Sequence, residues 1–188
     1  MRGIVHFVLI IALAPALNGC VALVAGGAAT AVMVADDRRK ASVDLEDKDI
    51  ELHGKNRMHE LFPQASVGIT SYNSNVLLTG EAPDESTKAR IEEAIKGIPR
   101  VHTVYDEISV SGEPSLTSEA NDSVITAEVK TRLVRAKGVD FNHVKVDTEA
   151  GVVYLMGLLT HAEADAAAHV AATTSGVVRV VKVVEYTD

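Results

Sequence analysis

The chain has 188 residues, a formal net charge of −8 and 47% hydrophobic residues, enough for one ordinary domain or two small ones. An acidic chain without tryptophan argues against general nucleic-acid binding, which needs a positive field over the phosphates and is helped by an aromatic stacking platform. A single cysteine excludes an intrachain disulfide.

From Gly3 to Ala35 there is no Asp, Glu, Lys or Arg. Met1 and Arg2 supply a short positive region, and the apolar run IVHFVLIIALAPAL follows, with His6 its one titratable residue. Small residues then lead to Leu17-Asn18-Gly19-Cys20. This is the layout of a secretory signal peptide, residues 1–19. Leu at −3 and Gly at −1 before Cys20 resemble the lipobox of bacterial lipoproteins, with Asn18 in place of the usual small residue. The resemblance implies cleavage before Cys20, diacylation of its thiol and acylation of the new amino group. Several acyl chains hold a protein on a bilayer stably where one is marginal. Val21, where Asp would favour inner-membrane retention, implies an outer-membrane destination. The other reading is a signal anchor with Cys20 unmodified in a membrane span. Gly19, Gly26, Gly27 and the many alanines weaken that span.

Residues 20–45 read as a tether that passes from Ala/Val/Gly-rich to charged sequence without a sustained period. In it, Arg38-Arg39-Lys40 is offset by Asp36 and Asp37. Beyond the tether the chain repeats itself. VGITSYNSNVLLTG from Val67 and VKVDTEAGVVYLMG from Val144 each alternate, turn at polar residues, and return as an apolar strand ending in Gly80 or Gly157. That pattern predicts two hairpins, and the glycines predict a bulge or a close backbone approach. A helix follows each hairpin. Ile91, Ala94, Ile95 and Ile98 form one apolar stripe, and Ala164, Ala167, Ala168 and Ala171 form the other. Thr160 and Glu163 are spaced as a capping box. The stretch from Gly97 matches that from Gly176 and opens a last β-rich strand in each copy.

A further helix precedes each hairpin. The first, at about Asp47 to Leu61, would face a core with Ile50, Met58 and Leu61. Gly54 in its middle costs it about 1 kcal/mol relative to Ala. The second, at Asp122 to Lys137, places Ile125, Val129 and Leu133 on one stripe. Each copy therefore reads α-β-β-α-β. The fold class is α+β: two tandem αββαβ domains, each a three-stranded mixed sheet packed on two helices. They span residues 46–112 and 121–188, with a polar linker at 113–120.

Two repeats of this kind, with hairpins ending in Gly, resemble BON domains, most closely in NDSVITAEVKTRL and VYLMGLLTHAEADAAAHVA. The first copy diverges at Pro99-Arg100, where the family usually has Gly. A lipobox, a tether and two such domains resemble the dual-BON lipoproteins of the bacterial outer membrane. The resemblance implies a non-enzymatic, lipid-anchored protein on the periplasmic face of the outer membrane. It implies binding of anionic phospholipid, chiefly phosphatidylglycerol and cardiolipin, and support of envelope integrity and of division sites. It places the lipid surface on the first helix of the second domain, with contacts at Val124 and Val134. The enterobacterial member of the family carries a Trp at the position of Val124, so that interfacial anchor is missing here.

The helix itself supports such a division. With Ile125, Val129 and Leu133 inward, Val124, Ala127, Thr131 and Val134 form the outward stripe. Glu119, Asp122 and Glu128 lie early, while Lys130, Arg132, Arg135 and Lys137 lie late. That order also suits the helix dipole of any solvated helix. Read as a lipid site, it consists of Val124, Ala127, Lys130, Thr131, Val134, Arg135 and Lys137, each cation near an anionic surface adding about 1 kcal/mol. The competing reading is a protein–protein adaptor with envelope partners and no lipid recognition.

His161, Asp165 and His169 share one helix face, but His161 and His169 lie about 12 Å apart by helical rise, too far for one metal ion. No nucleophile elbow, P-loop or dinucleotide fingerprint is present. Neither an enzyme, a metal site nor a cofactor is expected.

Overall fold

The computed structural model describes Arg38 and residues 41–111 and 119–188. The signal segment, Cys20, all of the tether up to residue 40 except Arg38, and linker residues 113–118 lie outside the described residues. The first copy comprises helix α1 (Ala41–Leu61), strands β1 (Ser66–Tyr72) and β2 (Asn75–Ala82), helix α2 (Glu85–Lys96), and strands β3 (Thr103–Asp106) and β4 (Ser109–Val110). The second comprises α3 (Glu119–Arg135), a 3-10 turn (Phe141–His143), β5 (Val144–Glu149), β6 (Val152–Leu159), α4 (His161–Ala172) and β7 (Arg179–Tyr186).

Each sheet has the mixed topology that the repeat predicts. β1 pairs antiparallel with β2, and β3 and β4 follow one another along the far side of β2 in parallel. β5 pairs antiparallel with β6, and β7 runs parallel to β6 along its whole length. The hairpins close through two-residue turns, Asn73-Ser74 and Ala150-Gly151, with φ of 52°, 64°, 50° and 75°. Positive φ at both positions matches the right-handed twist of the strands. Gly80 and Gly157 mark close backbone approaches. A Cβ on Gly80 would stand 2.1 Å from the Ser66 carbonyl oxygen, and one on Gly157 2.5 Å from that of His143.

The helix stripes pack as expected. Ile50, Met58, Ile91, Ile95 and Ile98 close the first core. Ile125, Val129, Leu133, Ala164, Ala167 and Ala171 close the second. Ala94 and Ala168 pack at their margins. The side chains at the α4 start form the capping box of Thr160 and Glu163.

Four expectations need correction. First, α1 begins at Ala41, inside the stretch read as tether, and α3 runs from Glu119 to Arg135. Lys137 therefore lies past the helix, which ends before Gly138 at φ 83°. Second, Leu61 is exposed, and Phe62, one residue on, enters the core instead. Third, Gly54 is needed for close packing. A Cβ there would meet Ile69 Cδ1 at 2.7 Å, so this glycine lets α1 lie close on β1. Fourth, the match of Gly97 with Gly176 slips by three residues. Thr103 pairs with Asn75 as Arg179 pairs with Val152, each just past a hairpin turn. The counterpart of Gly176 (φ 86°) is therefore Arg100, itself at φ 70°. The first copy holds an arginine in a conformation that costs an L residue roughly 1–2 kcal/mol.

β2 and β6 are apolar without alternation at Val76-Leu77-Leu78 and Val153 to Met156. Consecutive buried residues mean a strand covered on both faces. Helices cover one face. On the other, Tyr72 and Leu77 of the first copy pack with Tyr154, Met156 and Val183 of the second. Burial pushes the Tyr154 hydroxyl up to about 12. A polar seam borders this apolar contact. Lys145 Nζ donates to Glu51 Oε1 (2.6 Å) and the Ser71 carbonyl (3.0 Å), and Asn73 Nδ2 donates to Glu185 Oε2 (2.8 Å). The copies are thus joined by a small core of their own.

Candidate functional site

Three contacts fix how α3 lies on its domain. Ile125, Val129 and Leu133 are buried to within 2% exposure. Asp122, also buried, accepts from the Ala150 and Gly151 amides at 2.8 Å each, tying the start of the helix to the hairpin turn. Near the other end, the Arg132 guanidinium donates to Thr174 Oγ1 (2.7 Å) and Thr173 Oγ1 (2.9 Å) at the end of α4. α1 is held in the same way. Asp47 accepts from the Asn73 and Ser74 amides and from Ser71 Oγ. Arg57 donates to the Ala94 carbonyl. In the sequence Asp122 and Arg132 read only as an early and a late charge of the helix, Asp47 only as a helix start and Arg57 not at all, though Asp and Arg stand ten positions apart in both copies (57 − 47 and 132 − 122).

With that anchoring, the outward stripe of α3 faces solvent. Val124 is 67% exposed and Val134 63%. Ala127 and Thr131 are exposed between them, with Thr131 Oγ1 donating to the Ala127 carbonyl (2.8 Å). Arg135 and Lys137 are exposed at the end and have no ion pair among the described residues. The structure brings Val124, Ala127, Thr131, Val134 and Arg135 onto one face, with Lys137 just beyond it. Lys130 stands apart: it is half-buried and lines the groove between the copies. There it lies within electrostatic reach of Asp147, whose carboxyl is pushed up mainly by burial.

The histidine face of α4 is divided among separate partners. His161 Nδ1 lies 2.7 Å from Asp188 Oδ1, and its ring stacks on Tyr186 at 3.8 Å. Asp165 accepts from Lys182 (2.8 Å). Among the described residues no group of His, Cys, Asp and Glu is placed to hold a metal ion. At the same corner Arg38 makes a paired contact with Glu163 (2.8 and 2.6 Å) and donates to the Leu158 carbonyl. Arg38 first, then the Thr160 backbone, holds the Glu163 carboxyl at about 2. No helix among the described residues is long and apolar enough to cross a membrane.

The model of the BON domain matches residues 46–112 and 121–188. The chain belongs to the BON-domain family, with two copies in tandem. It is similar to the outer membrane lipoprotein DolP of Haemophilus influenzae, at 37% identity over 175 residues, covering 92% of this chain and 91% of that one. It is also similar to the 21 kDa hemolysin of Actinobacillus pleuropneumoniae, at 34% over 153 residues (80% and 79% of the two chains). A third relative is the osmotically-inducible protein Y of Escherichia coli, at 29% over 122 residues (63% and 61%). The match along nine-tenths of its length makes this an outer-membrane lipoprotein of the BON family. None of the three relatives bears an enzyme's name.

Proposed function

We propose that the chain, held on the periplasmic face of the outer membrane by acylated Cys20, binds anionic phospholipid through the outer face of α3. It supports envelope integrity, including at division sites, without catalysing a reaction. One observation carries the reading. Val124 and Val134 stand exposed on a helix that leads into two cations, Arg135 at its end and Lys137 just past it, which have no ion pair among the described residues. Isolated exposed valines are ordinary. Two on one stripe ending in unpaired cations are what an interfacial helix needs: apolar groups to enter the acyl boundary and charge to meet the headgroups. Phosphatidylglycerol and cardiolipin supply the matching charge. Ala127 and Thr131 are small enough to let the backbone approach the surface. Arg132 is spent on α4, so the charge falls to Arg135 and Lys137, with Lys130 on the flank.

Vesicle flotation of the mature chain carrying Cys20→Ser tests this without the acyl anchor. The protein should rise with phosphatidylglycerol vesicles and not with phosphatidylcholine vesicles, and binding should weaken as salt increases. Val124→Glu with Val134→Glu should reduce it at least tenfold. Equal flotation with both lipids, or indifference to the glutamates, would remove the lipid reading and leave that of an acyl-anchored adaptor for envelope proteins.

A further inference from the structure

Building on the reading of α3 as the lipid face, we infer that Arg38 is a positioning residue for it. Arg38 clasps the root of the tether to the second domain, and so brings the pull of the acyl anchor to the corner where α3 ends. By covalent order the tether belongs to the first copy, since α1 begins at Ala41, three residues past Arg38. By contact Arg38 belongs to the second. Its guanidinium bonds both carboxylate oxygens of Glu163, at 2.6 and 2.8 Å, and donates to the Leu158 carbonyl at 2.9 Å.

An exposed ion pair ordinarily contributes little, because two long side chains must be held still to make it. Here the acceptor is held already. Glu163 belongs to the capping box, and its Oε2 accepts from the Thr160 amide (2.9 Å) and hydroxyl (3.0 Å). A guanidinium that meets a fixed carboxylate with two parallel bonds gives up only its own freedom. The pairing is also particular to one copy. Thr160 and Glu163 correspond to Asp84 and Thr87, 76 positions earlier (160 − 84 and 163 − 87). Thr87 donates its hydroxyl to Asp84, so the first copy has no carboxylate at the place of Glu163.

The clasp stands beside the end of α3. Arg132 reaches Thr173 and Thr174 at the end of α4. A Cβ on Gly138, just past α3, would lie 3.9 Å from Ala166, one turn beyond Glu163. α3 therefore runs back along α4 and ends toward its start. Asp140, two residues past Gly138, lies within electrostatic reach of Arg38, as does Tyr72 of the first copy. Residues 20–38 can reach at most about 65 Å. Once the acyl chains are in the bilayer, binding by α3 is an intramolecular step, and its effective concentration depends on where the linker is rooted. With the clasp closed, that root lies next to Arg135 and Lys137. With it open, the pull enters at the start of α1, on the copy without the lipid face.

The test has a lipid-free arm and a membrane arm, each with Glu163→Gln and Arg38→Gln. Glutamine at 163 keeps the acceptor that the cap uses and removes the charge that the guanidinium meets. The melting curve of each variant shows that it folds. In the ¹⁵N-labelled Cys20→Ser chain, the Arg38 amide should have an order parameter of about 0.85, and either variant should bring it below about 0.6. The acylated chain is then placed on nanodiscs of phosphatidylcholine with a minority of phosphatidylglycerol and a spin-labelled lipid, so that α3 is not saturated. Paramagnetic broadening at Val134 and Arg135 should drop at least twofold in either variant, and the double variant should do no worse than each alone. An Arg38 amide that is mobile in the parent overturns the clasp, whatever α3 binds. Broadening of α3 that is equal in parent and variants overturns the positioning role and leaves the lipid reading standing. Broadening absent from α3 in the parent overturns both.

Discussion

α1 and α3 are the same helix in two copies, and they differ on the outside. Inside, Asp47 and Asp122, Ile50 and Ile125, and Arg57 and Arg132 do the same tasks at matched positions. Outside, α1 pairs part of its charge within the helix. Lys48 bonds Asp44 (2.5 Å) and His53 lies 3.4 Å from Asp49, both as i,i+4 pairs. α1 also exposes Leu45 (67%) and Leu52 (57%), so exposed apolar side chains alone do not set α3 apart. Lys55 of α1 is likewise exposed without an ion pair among the described residues, so what the second copy adds is two such cations together, Arg135 at the end of α3 and Lys137 just past it. The fold dictates the inner face of each helix and leaves the outer one to be spent differently in each copy.

The largest effect should come from erasing that difference. Val124, Val134 and Arg135 correspond to Asp49, His59 and Glu60, 75 positions earlier. Grafting Val124→Asp, Val134→His and Arg135→Glu should lower affinity for anionic vesicles at least tenfold in a flotation titration and leave the melting temperature unchanged. On the shared inner face, Asp47→Ala should cost about 3 kcal/mol and Asp122→Ala about 2 kcal/mol in urea denaturation. Each strands backbone amides of a hairpin turn that had a charged acceptor, and Asp47 serves the additional Ser71 hydroxyl. Gly54→Val, which writes the second copy's Val129 into the first, should cost about 2 kcal/mol by overpacking against Ile69. Arg100→Gly, which writes in Gly176, should instead stabilise by about 1 kcal/mol, because glycine takes positive φ without strain.

The smallest effect is one of pH. The Glu163 carboxyl is depressed from its ordinary 4.5 to about 2. Its contribution to stability is therefore complete above pH 4.5 and is lost as pH falls from there toward 2. Melting temperatures measured across that window should fall in the parent chain and fall less in Glu163→Gln.

The sequence made the repeat legible because its signals are local. Alternation before a turn marked the hairpins, stripes of isoleucine or alanine marked the second helices, and Thr160 with Glu163 marked a cap. The outward stripe of α3 was legible for the same reason: Ile125, Val129 and Leu133 fix its inner face. What stayed hidden depends on partners far along the chain. Asp122 could be read as a helix-start residue because the turn it caps lies 28 positions on. Arg132 looked like one more terminal cation until Thr173 and Thr174 were found beneath it. Gly54 looked like a helix flaw because Ile69 sits on another element. The contact between the copies left one trace, the unbroken apolar runs in β2 and β6, which alternation arguments pass over.

The central claim is that α3, and not α1, meets the membrane. Amide spectra of the ¹⁵N-labelled Cys20→Ser chain with phosphatidylglycerol nanodiscs, some bearing a spin-labelled lipid, would test it most directly. The account predicts paramagnetic broadening centred on Val124, Ala127, Thr131 and Val134, with the amides of Leu45 and Leu52 left sharp. Broadening centred on α1, or spread evenly over both helices, would contradict it.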